Sequence, residues 1–193
     1  MAFYDIISGL ETQSVRINQE EIARLKQIMV AVELQKGDFF QEFGQWSTHM
    51  GIVTEGALYA YSLHDDGSEK VHDFYYPVEH AVVVDYKSYH KNEPSKVYIK
   101  CHEKCILYLV NLKEVRALYG QFPVFAQIES VIAKYNIKNA INKIEILQED
   151  SNQIKIDKFR YYYSKVFHFF PYSYIASYLG IHRNTLNRLF KNR

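Results

Sequence analysis

Residues 172–191 read YSYIASYLGIHRNTLNRLFK. Their spacing predicts two short helices broken at Gly180. Ile175 and Leu179 sit four apart and share a face. Leu186, Leu189 and Phe190 repeat the helical spacing after the break. Gly180 falls where a helix ends in a left-handed residue, which glycine adopts without a Cβ penalty. Ala176 is small where two crossing helices approach each other. The second helix leaves Arg183, Asn184, Asn187, Arg188 and Lys191 on one face, all donor-capable and none acidic. A polar-basic helix braced by another at a tight glycine turn is the geometry of a helix-turn-helix that reads the major groove. The same spacing also fits an ordinary αα-corner whose polar face is merely solvated.

The chain of 193 residues is long enough for one large domain or two small ones, and a hydrophobic fraction of 48% is enough for a packed core. Its net charge of +1 conceals an asymmetry. Residues 1–149 carry 15 Lys and Arg against 20 Asp and Glu, a net of −5, whereas residues 150–193 carry 8 against 2, a net of +6. A basic end on an acidic body implies a polyanionic partner. The high counts of Tyr (17) and Phe (12) predict an aromatic-rich core.

Cys101 and Cys105 cannot build a disulfide framework, and this sparse usage fits a reducing cytosol. Their spacing spans a turn between strands and lacks CxxC geometry, so no metal is expected there. His49, His64, His72, His80, His90 and His102 are scattered, without the His-x-His pair of a jelly-roll metalloenzyme. Each reads as a surface or hydrogen-bonded histidine. No cofactor is expected. The opening MAFYDIISGLETQSV has no basic n-region and no long apolar core, so no signal peptide is expected. No apolar run approaches the roughly 20 residues of a membrane span. The expectation is a soluble, cytoplasmic protein without a membrane partner.

Residues 18–32 predict a helix, with Asn18 as N-cap, Glu20 and Glu21 in the first turn, and Ile22, Leu25, Ile28, Met29 and Val32 as its apolar stripe. From Val32 to about Val110 the pattern is of some eight short strands punctuated by glycines, as in a sandwich or jelly-roll-like barrel. Asp65-Asp66-Gly67-Ser68 is a strong turn signal between two of them. Asn111 is a candidate cap for a short helix ending near Tyr119. Pro123 suits the start of a long helix reaching about Glu149, roughly 40 Å at 1.5 Å per residue. Its stripe includes Ile128, Val131, Tyr135, Ile141 and Ile144, and predicts a homodimer seam. The alternative is packing on its own β-domain. Residues 149–153 are polar and read as a hinge, and 154–169 as a basic helix rich in Tyr and Phe.

The order helix, β-roll, long helix, hinge, basic helix-turn-helix resembles the Crp/Fnr family of bacterial regulators along essentially the whole chain. Gly37, Gly44, Gly56 and Gly67 sit where such proteins place turn glycines. The ending RNTLNRLFKNR after YIASYLGI is similar to the version found in Bacteroidetes members. The resemblance implies an α+β protein. Its parts would be an effector-type jelly-roll or double-stranded β-helix with flanking helices over residues 1–120, a long dimerisation helix over 121–149 and a DNA-binding helix-turn-helix over 150–193.

For function, the resemblance implies a dimeric, sequence-specific transcriptional regulator with double-stranded DNA as partner and RNA polymerase as a further one. It aligns Arg183, Asn184 and Arg188 with the base-contacting positions, and it implies phosphate contacts from Tyr172, Ser173, Thr185, Asn187, Lys191 and Arg193. An arginine fork fits guanine O6 and N7, and Asn184 fits adenine N6 and N7. Two departures stand out. His182 occupies the place of a Ser or Thr N-cap. The family's cyclic-nucleotide site needs a Gly-Glu pair and an Arg-Ser or Arg-Thr pair, but residues 77–95 hold no Gly-Glu and present Pro94-Ser95. A cyclic phosphate buried without a cationic partner is costly, so cyclic AMP is not expected to bind. The rival reading is a jelly-roll enzyme or small-molecule binder with purely structural C-terminal helices. No catalytic pair or nucleophile motif supports it.

Overall fold

A computed structural model of the chain describes residues 15–191. Most of the opening stretch that reads as free of a signal peptide, residues 1–14, lies outside the described residues, and so does Arg193.

The first helix, α1 (Gln19–Ile28), begins at the predicted cap. The Asn18 side chain accepts from the Glu21 N–H at 2.9 Å, and the Glu21 carboxylate accepts from the Asn18 N–H at 2.8 Å, closing a capping box. The helix stops at Ile28, four residues short of the predicted end. Met29 turns extended, and β1 (Val30–Leu34) pairs antiparallel with a later strand, Val30 opposite Leu109 and Val32 opposite Leu107. A pleated, paired backbone suits the β-branched Val30 and Val32 better than another turn of helix does.

Seven further strands follow: β2 (Phe39–Gln41), β3 (His49–Glu55), β4 (Leu58–Leu63), β5 (Glu69–Tyr75), β6 (Val82–Val83), β7 (Tyr98–Cys101) and β8 (Cys105–Asn111). They form two four-stranded antiparallel sheets, ordered β1-β8-β3-β6 and β2-β7-β4-β5. The turn at residues 65–68 closes the β4–β5 hairpin, where Asp66 accepts from the Ser68 N–H and hydroxyl at 2.9 and 2.6 Å. Between the sheets lie Val53, Leu58, Ala60, Val83, Ile99, Cys101, Cys105 and Leu107, all buried, with Phe40 and Leu109 packed against them. A Cβ at Gly51 would sit 2.8 Å from Val83 and 3.0 Å from Phe40. The roll is filled by its own side chains.

Between β6 and β7 lies a short helix that periodicity did not foresee, α2 (Tyr86–Lys91), capped by Asp85 accepting from the Ser88 N–H at 3.1 Å. Its sequence YKSYHK has no apolar stripe; local capping makes it helical. After β8, Asn111 caps α3 (Leu112–Ala117) as predicted, accepting from the N–H groups of Lys113 and Glu114. The long helix α4 (Val124–Leu147) follows Pro123. Val124, Phe125 and Ile132 of α4 are buried. Val124 and Phe125 pack with Leu25, Met29 and Val110 into a cluster that covers the outer face of the first sheet.

The predicted helix over 154–169 is in fact two, α5 (Asn152–Tyr162) and α6 (Val166–Phe169). Tyr163 breaks them: its ring turns inward and stacks 4.5 Å from His80. The aromatic run has no single apolar stripe, so packing decides where the helix ends. Then come α7 (Tyr172–Leu179) and α8 (Arg183–Lys191).

These C-terminal helices lie against the outer face of the second sheet. Tyr59, Tyr61, Phe74 and Tyr76 of the roll share one core with Phe159, Tyr163, Phe170, Ile175, Tyr178, Leu179 and Leu186. This explains why residues 58–61 are buried on both faces of β4. The aromatic-rich core is therefore the seam between roll and helix-turn-helix. Among the described residues no helix is long and apolar enough to cross a membrane.

Candidate nucleic-acid interface

The α7–α8 turn is built as the spacing predicts. Gly180 adopts a left-handed conformation, φ 64° and ψ 32°. The Ile181 N–H donates back to the Ala176 carbonyl at 3.1 Å, and the Gly180 N–H to Ser177 at 3.2 Å. That pair of bonds is a Schellman closure, which satisfies carbonyls that a helix end would leave orphaned. Ala176, Ile175 and Leu179 are buried at the crossing, and Leu186 of α8 is fully buried against them.

His182 occupies the cap position of α8 and performs the capping itself. Its Nδ1 accepts from the Asn184 N–H at 3.2 Å, the role a Ser or Thr oxygen would take. Its carbonyl accepts from the N–H groups of Thr185 and Leu186 at 2.9 and 3.2 Å.

The outward face of α8 presents Arg183, Asn184 and Arg188 exposed, with Thr185 and Asn187 half-buried beside them. Among the described residues neither Arg183 nor Arg188 has an ion-pair partner. Tyr172 and Ser173 are exposed at the start of α7. The Tyr172 ring also packs 4.9 Å from Phe190, so it is held in place by the far end of α8. Arg160 lies over the Phe190 ring at 4.0 Å, which fixes the α5–α8 contact. The Lys191 side chain and Arg193 lie outside what the structure describes. Two basic groups expected to add to the cationic end are neutralised instead. Lys158 pairs with Glu149, and Lys165 pairs with Glu79 at 3.0 Å. Glu79 lies far away in the β5–β6 loop and Glu149 in the turn between α4 and α5, so helical spacing flags neither pair.

The predicted seam residues divide. Ile128 and Val131 are half-buried against the roll, and the Tyr135 hydroxyl donates to the Glu79 carbonyl. Ile141 and Ile144 are 50% and 54% exposed, and Ile137, which was not singled out, is 60% exposed. Residues 137, 141 and 144 lie on one face at i, i+4 and i+7. A groove of about 890 Å³ between α4 and the outer face of the first sheet, lined by Met50, Ile52, Val82, Ile128 and Val131, adds further apolar surface along the same helix.

Around the family's phosphate position, Pro94 is exposed and Ser95 is buried. The Ser95 hydroxyl donates to the Val97 carbonyl at 2.8 Å and accepts from its N–H at 3.2 Å, so it serves its own loop. The adjoining recess of about 330 Å³ is lined by His72, Asp85, Lys87, Glu93 and Lys96 among others. Burial, with Lys143 and Lys70 adding to it, pushes His72 down to about 4, so it is neutral at neutral pH. Among the described residues no cluster of His, Cys, Asp and Glu is placed to hold a metal ion.

No protein-family model matches the chain, and no curated protein matches it. Solved structures do. FixK2 of Bradyrhizobium japonicum superposes with a TM-score of 0.71 at 14% identity, over 86% of this chain and 84% of that one. A protein of Eubacterium rectale assigned to the Crp/Fnr family of transcriptional regulators gives 0.65 at 16% identity, over 91% and 83%. The c-di-GMP-responsive global regulator CLP of Xanthomonas campestris gives 0.62 at 13% identity, over 89% of each chain. The fold is thus that of the Crp/Fnr transcriptional regulators: a cyclic-nucleotide-binding-type β-roll followed by a helical C-terminal region.

The cap at His182 is testable without DNA. His182→Ala should cost about 1 kcal/mol of stability in urea unfolding, whereas His182→Ser, which keeps an acceptor, should cost only a few tenths. Equal losses would remove the capping role.

Proposed function

We propose that the protein is a dimeric, sequence-specific DNA-binding transcriptional regulator that lays α8 in the major groove. The observation that carries this reading is the outward face of α8. Arg183, Asn184 and Arg188 are exposed without acidic partners there, on a helix anchored by the buried Leu186. The N-terminal part of such a helix reaches base edges, so these three residues carry specificity. Tyr172, Ser173, Thr185, Asn187, Lys191 and Arg193 contact phosphates and carry affinity. Contact with RNA polymerase belongs to the same reading. An enzymatic reading would have to rest on the Ser62 hydroxyl and His72 Nε2, 2.8 Å apart beside the smaller recess, and among the described residues no carboxylate hydrogen-bonds to that histidine to complete a triad.

Removing the Arg188 fork should cost about 1–3 kcal/mol per half-site and relax preference at one base position. A binding-site selection with Arg188→Ala reads both quantities. Unchanged affinity and preference in a folded dimer would return α8 to ordinary solvated surface.

Pairing two subunits through Ile137, Ile141 and Ile144 would cover the exposed stripe of α4 and present two readers related by a two-fold axis. The operator is then an inverted repeat with half-sites about 10 bp apart, one turn of the duplex. Ile141→Asp would place one unpartnered carboxylate per subunit in that seam. Light scattering should show its dimer dissociating at concentrations where the parent chain stays dimeric; a parent chain that is monomeric with and without DNA would refute the dimer.

Cyclic AMP and cyclic GMP fall outside this function. The roll interior is occupied by its own side chains, Pro94 offers no charge, and the Ser95 hydroxyl is used internally. Isothermal titration should show no binding of either nucleotide at micromolar concentration, and heats that fit a micromolar site would overturn the point.

A further inference from the structure

The groove of about 890 Å³ beneath α4 has a long apolar body. The outer face of the first sheet lines it through Met50 and Ile52 of β3 and Val110 of β8, and α1 and α3 contribute Leu25 and Val115. The opposite wall is one side of α4, lined from Phe125 through Ile128 and Val131 to Lys138, roughly 20 Å at about 1.5 Å per residue. The volume falls within the range of about 300–1,000 Å³ in which proteins bury small molecules. A groove of this length with apolar walls suits an extended chain better than a compact ring. It shares no lining residue with the recess beside Pro94 and Ser95, so it is a different place from the family's nucleotide position.

The charges along the groove are sorted. Among the described residues, Glu79, Glu129, Lys134 and Lys138 are the charged side chains that line it. Both acids are engaged elsewhere: Glu79 pairs with Lys165 at 3.0 Å, and Glu129 pairs with Arg116 at 3.4 Å and accepts from the Tyr119 hydroxyl. Lys134 and Lys138 are exposed and, among the described residues, have no ion-pair partner. They sit four apart, one turn of α4, so they face the same way. The uncompensated charge is therefore positive and gathers at one end of the α4 wall, while the rest of that wall is apolar. Ile137, Ile141 and Ile144 lie on another side of α4 from Val131, Tyr135 and Lys138, so pairing of two subunits through that stripe does not fill the groove.

We propose that the groove binds one long-chain fatty acid, with the carboxylate at Lys134 and Lys138 and the acyl chain running along α4 toward Phe125. The proposal does not rest on the DNA-binding reading. Affinity comes from the methylenes, each of which leaves water for the side chains of the sheet and of α4. The two lysines add less, because their ammonium groups stay near solvent. Their effect is to orient the chain and to make binding sensitive to salt. A neutral apolar molecule would forgo both cations, and a polyanion would have nothing to place along the apolar body. A single anionic head on a long hydrocarbon matches both ends of the groove.

The test titrates the full, delipidated chain with palmitate below its micellar concentration in a calorimeter. Binding should saturate at one acid per chain. Myristate and laurate should each bind roughly tenfold more weakly than the acid two carbons longer. Palmitate should shield Lys134 and Lys138 from acetylation by acetic anhydride. Lys134→Gln and Lys138→Gln together should lower palmitate affinity about fivefold and flatten its salt dependence. Val131→Phe, which fills the groove, should weaken binding further; where that chain does not fold, Ile52→Phe takes its place. No saturable heat, several acids per chain, affinity indifferent to chain length, or lysines that stay reactive in saturating palmitate would each overturn the proposal. Lysines already shielded in the ligand-free chain as protein concentration rises, with palmitate excluded, would give the groove to a second copy and overturn it as well. A chain that takes up palmitate in this way but binds no DNA would refute the DNA-binding reading and leave the fatty-acid site standing.

Discussion

The contact on which the rest of the molecule depends is the aromatic core between the outer face of β4 and β5 and the C-terminal helices. Phe74 lies 4.6 Å from Phe170 and 5.4 Å from Tyr178, and Tyr59 lies 4.7 Å from Tyr174. Ser177 adds a polar fastening, since its hydroxyl accepts from the Val71 N–H at 3.0 Å and donates to the Glu69 carbonyl at 3.1 Å. Those groups belong to β5, an edge strand whose backbone would otherwise face solvent. Helices of eight and nine residues such as α7 and α8 are marginal alone, because helix nucleation is costly and isolated helices need about 12–15 residues. Their stability comes from the sheet on which they rest.

That dependence explains which parts of the fold were legible. Features fixed by neighbours in sequence read correctly: the Asn18 and Asn111 caps, the turn at residues 65–68, the left-handed Gly180 and the donor-rich face of α8. Features fixed by distant partners did not. The end of α1 at Ile28 is set by pairing with β8. The break at Tyr163 is set by His80, far away in the chain. The helix at 86–91 rests on capping and on no apolar period. In the candidate interface, the exposure of Arg183, Asn184 and Arg188 follows from helical spacing. The capping by His182 was masked by its being an unusual residue for that place, and the pairing of Lys158 and Lys165 depends on tertiary contacts.

Those pairs also refine the electrostatics. The charge asymmetry between residues 1–149 and 150–193 treats every lysine of the C-terminal end as free. With Lys165 tied to Glu79 of the roll and Lys158 to Glu149, the unpaired guanidiniums of Arg183 and Arg188 gain in relative weight. Surface pairs of this kind contribute only about 0–1 kcal/mol to stability. Their larger effect is on the field, which they concentrate on α8 while the acidic roll discourages other surfaces from approaching a polyanion.

A reader fixed to the roll by a shared core has few ways to adjust its position. In the proposed dimer, the distance between the two copies of α8 follows from the crossing of the two α4 helices and from how each roll sits on its own α4. The second of these joints passes through Tyr135, which donates to the Glu79 carbonyl and whose ring meets His80 edge-on at 6.2 Å, while His80 also stacks on Tyr163 of the C-terminal end. Glu79 and His80 belong to one short loop between β5 and β6, and that loop also holds Lys165 of the reader end. One loop thus touches the long helix and the C-terminal helices at once. Val78 at its tip has a φ of 74°, costly for a β-branched residue, and the residue is 83% exposed. If the proposed dimer binds DNA as argued above, half-site spacing is set less by the helix-turn-helix than by the packing of this loop, and alterations there would change it without touching Arg183, Asn184 or Arg188.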